Sequence, residues 1–187
     1  MKRRVVGVGI VGCGFIGQKR AKALSSARLA ACADVVLSRA QQAASIAPGA
    51  AALTRWEDLV RRDDVDVVVV ATTNNLLAKV ARAAVECGKH VLVEKPAACS
   101  VRELDMVIRA AKKARRLVRV GFNHRYHPAL QKGMELVRSG ALGKLMFVRG
   151  RYGHGGRVGY EKEWRANPKL SGGGELMDQG VHLIDLA

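Results

Sequence analysis

Aromatic residues make up only 4% of this 187-residue chain. That scarcity weighs against a single-stranded nucleic-acid platform, which needs rings on which successive bases stack. Acidic residues are also in short supply, since 16 Asp and Glu against 32 Lys and Arg leave a formal charge of +16. Such an excess suits a nucleic acid or an acidic ligand. The basic side chains are nevertheless scattered through helical stretches (Lys19, Arg20 and Lys22; Arg61 and Arg62; Lys112, Lys113, Arg115 and Arg116) and form no continuous tract, so no nucleic-acid partner is expected. Cysteine is limited to Cys13, Cys32, Cys87 and Cys99, and no pair has Cys-x-x-Cys spacing. Neither a zinc site nor a disulfide framework is indicated, and a reducing cytoplasm fits best. No run approaches the roughly 18 apolar residues of a membrane span. Met1-Lys2-Arg3-Arg4 ahead of Val5 to Val11 imitates a secretory leader, but Gly7, Gly9 and Gly12 break the apolar stretch and Lys19-Arg20 follow it. A buried strand explains it better.

What is present is a hydrophobic content of 49%, enough for a core, dealt out as short β-branched runs alternating with helical ones. Arg4 to Val11, Leu29 to Ala33, Asp64 to Ala71, His90 to Val93 and Leu117 to Gly121 read as strands. Gln18 to Leu24, Ala40 to Ile46, Trp56 to Arg62, Leu76 to Cys87 and Ser100 to Arg115 read as helices. Through residue 121 this alternation predicts an α/β fold with a doubly wound parallel sheet.

At the first strand-to-helix turn stands Gly12-x-Gly14-x-x-Gly17. Gly12 permits the tight turn, Gly14 lets a pyrophosphate approach the backbone, and Gly17 lets the helix pack closely on the sheet; Phe15 and Ile16 open the helix whose N-terminus attracts the phosphates. Asp34 closes the second strand twenty residues after Gly14, where a carboxylate can accept hydrogen bonds from an adenosine ribose and repel the extra phosphate of NADP. NAD is therefore favoured, with NADP still open through Arg39; a simple turn opened by Asp34 is the plainer alternative. Thr72-Thr73-Asn74 ends the third of these strands with side chains that can meet a ligand or cap the next helix. Glu94-Lys95-Pro96 follows the fourth, beyond the carboxyl ends of the strands, where ligands of such folds sit. There a lysine ammonium can hydrogen-bond a substrate oxygen and favour its alkoxide, with Pro96 fixing the turn. As an isolated tripeptide it reads equally as a surface turn.

Beyond Gly121 the pattern changes. Phe122-Asn123-His124-Arg125-Tyr126-His127-Pro128 is dense in polar and aromatic groups, and its His-x-x-His pair lacks the further ligands of a zinc site, so no metal is expected. Ala129 to Ser139 reads as a helix closed by Gly140, and Leu145 to Tyr152 as a strand entering the loop Gly153-His154-Gly155-Gly156-Arg157. Trp164, Arg165 and Pro168 lead into Gly172-Gly173-Gly174 and on to Asp178-x-Gly180-x-His182-x-x-Asp185. On a helix Asp178 and His182 share a face, and an aspartate beside a histidine suits proton transfer. A capped amphipathic helix is the bland alternative.

Taken in order, these motifs resemble the Gfo/Idh/MocA family of oxidoreductases over residues 4 to 187. The resemblance implies a Rossmann-type NAD(P)-binding domain at 1–121 and, at 122–187, the first part of an α+β substrate domain. It also implies hydride transfer between a sugar or polyol hydroxyl carbon and nicotinamide. Lys95, Asp178 and His182 would be catalytic, while Gly12, Gly14, Phe15, Ile16, Gly17, Asp34, Thr72, Asn74, Glu94 and Lys95 would hold NAD. Asn123, Arg125, Trp164 and Arg165 would meet the substrate, and Arg151, His154 and Arg157 add a basic loop suited to an anionic one. A cytoplasmic homo-oligomer when full length, a truncated and weakly active fragment, and a related NAD-dependent glycosidase are further expectations. The chain departs from the family at Thr73, where a proline is usual, and at Leu77, where a histidine is usual.

Overall fold

The strands that form are those apolar on both sides. β1 (Gly7–Val11) is buried at every position and β2 (Arg28–Ala33) at every position but its first. Such runs cannot face water and need cover on both faces. In this computed structural model residues 4–153 and 158–187 are described; Met1, Lys2 and Arg3, and the loop residues His154, Gly155, Gly156 and Arg157, lie outside them. With β3 (Ala51–Leu53), β4 (Val67–Val70), β5 (His90–Val93) and β6 (Val118–Val120), the strands make a parallel sheet in the order β3-β2-β1-β4-β5-β6. The doubly wound parallel sheet expected from the alternation is thus present.

Helices α1 (Phe15–Lys22), α2 (Leu37–Ala44), α3 (Trp56–Val60), α4 (Asn74–Glu86) and α5 (Val101–Ala114) connect these strands. Side chains divide by strand parity, as a pleated backbone requires. Val68 and Val70 join one core with Leu59, Val65, Leu77 and Val80, while Val69 joins a second with Ile10, Cys13, Ala21, Cys32 and Ala40. Leu77, which stands where the family usually has a histidine, is fully buried in the first core, so its role is packing. Ser100 caps α5, its hydroxyl accepting from the Glu103 N–H at 3.3 Å while the Glu103 carboxylate accepts from the Cys99 N–H at 2.9 Å.

The chain leaves β1 toward β2 and β3 and then returns to β4 on the other side of β1. That reversal opens a crevice at the carboxyl ends of β1 and β4, the place where ligands bind in open α/β sheets. Asp66 fixes the far end of β4 against β1. It accepts the Gly7 N–H at 2.8 Å and pairs with Arg4, contacts that hold its carboxyl below the ordinary value of 3.8. A depressed carboxylate stabilises the fold above the unfolded value, and that contribution is lost as pH falls through the folded one. Asp66→Asn is accordingly expected to lower the melting temperature at neutral pH, with the difference from the parent chain closing below about pH 4 in a thermal-melt series.

Residues Gly121–Ala187 form a second compact unit. It contains a tight helical turn at Asn123–Tyr126, α6 (Pro128–Arg138), α7 (Pro168–Ser171), a wide π-helical turn at Leu176–Gly180 and α8 (Val181–Leu186). Two expectations are corrected here. The strand expected from Leu145 to Tyr152 does not form, and Leu145, Met146, Phe147 and Val148 are 54–82% exposed. A strand is a ladder with a neighbour, and none of the described residues of this unit supplies one. The regular helix expected through Asp178 and His182 opens instead as the π turn.

Candidate active site

In the first unit, Gly12 adopts φ +89 and its N–H donates to the Ala33 carbonyl at 2.8 Å, drawing the turn over the end of β2. A Cβ at Gly12 would collide with the Ala71 backbone, and one at Gly17 with the Gly12 carbonyl. Gly14 is different: a Cβ there would meet nothing within 4 Å. The glycine that motif logic assigns to the closest phosphate approach therefore faces open space. α1 begins here without a side-chain cap and without an acidic residue in its first turn, which leaves its leading N–H groups to an anion. Phe15 is 75% exposed and Ile16 is also exposed at the helix start.

Asp34 lies at the mouth of the same turn. The Cys13 N–H donates to its Oδ2 at 2.8 Å and the Val36 N–H to its Oδ1 at 2.9 Å. Each carboxylate oxygen keeps a lone pair for a further donor. These features fit a dinucleotide: an open glycine, a helix start free of side-chain caps and an oriented carboxylate. Cys13 and Cys32 are buried beneath the turn, and a hydrogen bond with Cys32 together with burial pushes the Cys13 thiol up. A thiol held protonated in this way is a core group rather than a nucleophile.

At the carboxyl end of β4, the Thr72 hydroxyl donates to the Thr73 carbonyl at 3.1 Å and the Thr73 hydroxyl to Asn75 Oδ1 at 2.7 Å. Thr73 precedes α4 but makes no side-chain cap bond, so the capping alternative is not what this threonine does; Asn74 is buried. At the end of β5, Glu94 and Lys95 are partly buried, and the Lys95–Pro96 peptide is cis. Arg20 of α1 donates to Glu94 Oε1 at 2.6 Å, with the Glu94 side chain 13% exposed. This bracket between the glycine-turn helix and the lysine turn joins residues 74 apart in sequence, and no local pattern announces it.

In the second unit, Asp178 and His182 are 5% and 4% exposed. Arg165 approaches Asp178 Oδ2 at 3.2 Å and Glu163 at 3.4 Å, and its guanidinium lies over the Trp164 ring at 4.6 Å. Arg165, with the Trp164 ring beneath its guanidinium, is thus gathered with Asp178. Burial and the Asp178 charge push the Tyr160 hydroxyl up. Arg125 pairs with Asp185 through both of its oxygens, while Asn123 is exposed beside it. The His182 ring is stacked against His124 and flanked by Phe122 and Tyr152. Sequence reading set His124 aside with the metal question; the signal it lacked was a ring partner 58 residues away.

Two family models match the chain: an oxidoreductase family with an NAD-binding Rossmann fold over residues 6–122, and the Gfo/Idh/MocA C-terminal domain over residues 130–187. A levoglucosan dehydrogenase of Pseudarthrobacter phenanthrenivorans is 34% identical over 134 residues, covering 71% of this chain and 34% of that protein. An inositol 2-dehydrogenase of Gluconacetobacter diazotrophicus is 30% identical over 187 residues, covering 97% of this chain and 53% of that protein. Among solved structures, a levoglucosan dehydrogenase in complex with NADH superimposes with a TM-score of 0.84 at 26% identity, covering 98% of this chain and 53% of its own. The chain spans about half the length, or less, of the relatives it matches.

Proposed function

From the premise that the chain belongs to the Gfo/Idh/MocA oxidoreductase family, we propose that it carries the NAD site and acid-base residues of a dehydrogenase. The reaction moves a hydride between nicotinamide and a sugar or polyol hydroxyl carbon. The observation that carries this reading is the glycine turn, with open space at Gly14 and the carboxylate of Asp34 oriented at its mouth. Gly12 to Gly17, with Phe15 and Ile16, would hold the pyrophosphate and Asp34 the adenosine ribose; Thr72, Asn74 and Glu94 are the further residues assigned to the cofactor.

NAD supplies the hydride acceptor in the oxidative direction. Of the residues assigned to the chemistry, His182 would take the hydroxyl proton, and Lys95 would donate a hydrogen bond to a substrate oxygen and stabilise developing negative charge. Asp178 assists the histidine, its own charge shared with Arg165. Asn123, Arg125, Trp164 and Arg165 are the residues assigned to substrate contact. Because Arg165 already serves Glu163 and Asp178, a neutral polyol suits this site better than an anionic one. NAD is preferred to NADP, since the Asp34 carboxylate repels a 2′-phosphate.

A titration of NAD and NADP against the parent chain and Asp34→Ala tests the cofactor half. The variant is expected to bind NAD about tenfold or more weakly, about 1.4 kcal/mol, and to lose its preference over NADP. Unchanged NAD affinity would remove Asp34 from the site.

A further inference from the structure

Arg20 reaches beyond the strands that its helix covers. α1 packs on β1 and β4. Gly17 permits that close approach, since a Cβ there would strike the Gly12 carbonyl. Arg20 follows three residues later, beside buried Ala21 and so on the same face of the helix. Helical side chains lean back toward the helix N-terminus, which here means toward the carboxyl ends of the strands. The guanidinium ends on Glu94, at the end of β5 and one strand past β4. Its Nε and Nη2 both lie 2.6 Å from Glu94 Oε1. The fork thus converges on one oxygen and leaves Oε2 to another donor.

Glu94 opens the turn that carries Lys95. Its N–H donates to the Val70 carbonyl at 2.9 Å, and its carbonyl accepts the Ala97 N–H at 3.0 Å, which closes the turn over Lys95 and Pro96. These backbone bonds fix where the turn begins and ends. They do not fix the Glu94 side chain, whose rotatable bonds Arg20 restrains. The two side chains are 29% and 13% exposed, so salt and water screen this pair less than an ion pair at the surface.

We propose that Arg20 is a positioning residue for the nicotinamide end of the cofactor site. It holds Glu94 with Oε2 turned to a donor of the nicotinamide nucleoside, and through α1 it sets the spacing between that carboxylate and the phosphates at the glycine turn. The inference rests on the reading of Glu94 as a cofactor residue. Its physical basis is preorganisation: a carboxylate already ordered in the empty site need not be ordered by the ligand, and binding is tighter by that difference. Direct contact of Arg20 with a phosphate is the competing role. The convergence of Nε and Nη2 on Glu94 Oε1 argues against it, because the fork that would grip a phosphate is occupied.

Calorimetric titration of NAD and of ADP into the 187-residue chain separates these roles. ADP carries the adenosine ribose and the pyrophosphate but no nicotinamide nucleoside. Arg20→Met keeps the apolar stem and removes the fork. It is expected to bind NAD about tenfold more weakly while its ADP affinity changes by less than about twofold. A brace that served only the fold would weaken both ligands together, and so would an arginine that met a phosphate; an equal loss for both, or no loss for NAD, overturns the inference. Glu94→Ala supplies the second arm. In that background Arg20→Met is expected to change NAD affinity by less than about twofold, because the carboxylate it acts through is already gone, and a second full loss overturns the inference. If Arg20→Met does not fold, Arg20→Lys replaces it. Lysine keeps the charge but cannot place two nitrogens on Oε1, and about a threefold loss of NAD affinity at constant ADP affinity is then expected. A parent chain that binds neither NAD nor ADP would sink the cofactor reading itself. A parent that binds both, with an Arg20→Met chain that keeps their ratio, would sink this inference alone.

Discussion

His182→Ala is expected to lower kcat for oxidation of a sugar or polyol by about 10²–10⁴-fold, followed as NADH formation, while NAD affinity changes by less than about threefold. The expectation has two parts. Oxidising a hydroxyl carbon requires its proton to leave as the hydride departs, and a positioned base typically contributes that factor. The cofactor, in contrast, is assigned to residues of the first unit, which His182 does not belong to. Lys95→Ala should show a comparable loss for a different reason: it removes the donor proposed to stabilise the developing alkoxide. Turnover retained within about threefold in either variant would exclude that residue from the chemistry.

The second large effect separates two glycines that stand two positions apart. Gly14→Ala is expected to fold with an unchanged melting temperature yet bind NAD at least tenfold more weakly, because its new methyl group meets nothing within 4 Å in the protein and enters the space the pyrophosphate needs. Gly12→Ala should fail earlier. At φ +89 an alanine is strained by about 1–2 kcal/mol before its methyl group meets the Ala71 backbone. Its melting temperature should fall clearly, with cofactor binding lost alongside. Calorimetry on both variants, with and without NAD, tests the pair. A Gly14→Ala chain that binds NAD normally would refute the placement of the phosphates.

The Rossmann half was legible because its signals are local. Valine-rich runs announce β4, the glycine spacing announces the turn, and Ser100 announces the start of α5. β3 escaped notice, since Ala51-Ala52-Leu53 is short and its alanines carry no β-branched signature. The readings that failed depend on partners. The apolar alternation from Leu145 to Tyr152 states a preference for a ladder, but a preference makes no strand without a second backbone. The Asp178–His182 spacing was read at the α-helical period, whereas residues Leu176–Gly180 take a wider turn. His124 and Arg20 owe their places to contacts 58 and 74 residues distant, which no window of sequence contains.

Asp34 gives the first unit a further property, one that matters to anyone redesigning cofactor preference. Its two oxygens accept the N–H groups of Cys13 and Val36, so the carboxylate proposed to discriminate between dinucleotides is also a strut between the glycine turn and the loop after β2. Substituting a small neutral residue to admit a 2′-phosphate takes out that strut together with the repulsion. A switch to NADP in this scaffold is therefore a two-part engineering problem: a cation must be supplied for the phosphate, and the Cys13 N–H must be given another acceptor in the same move.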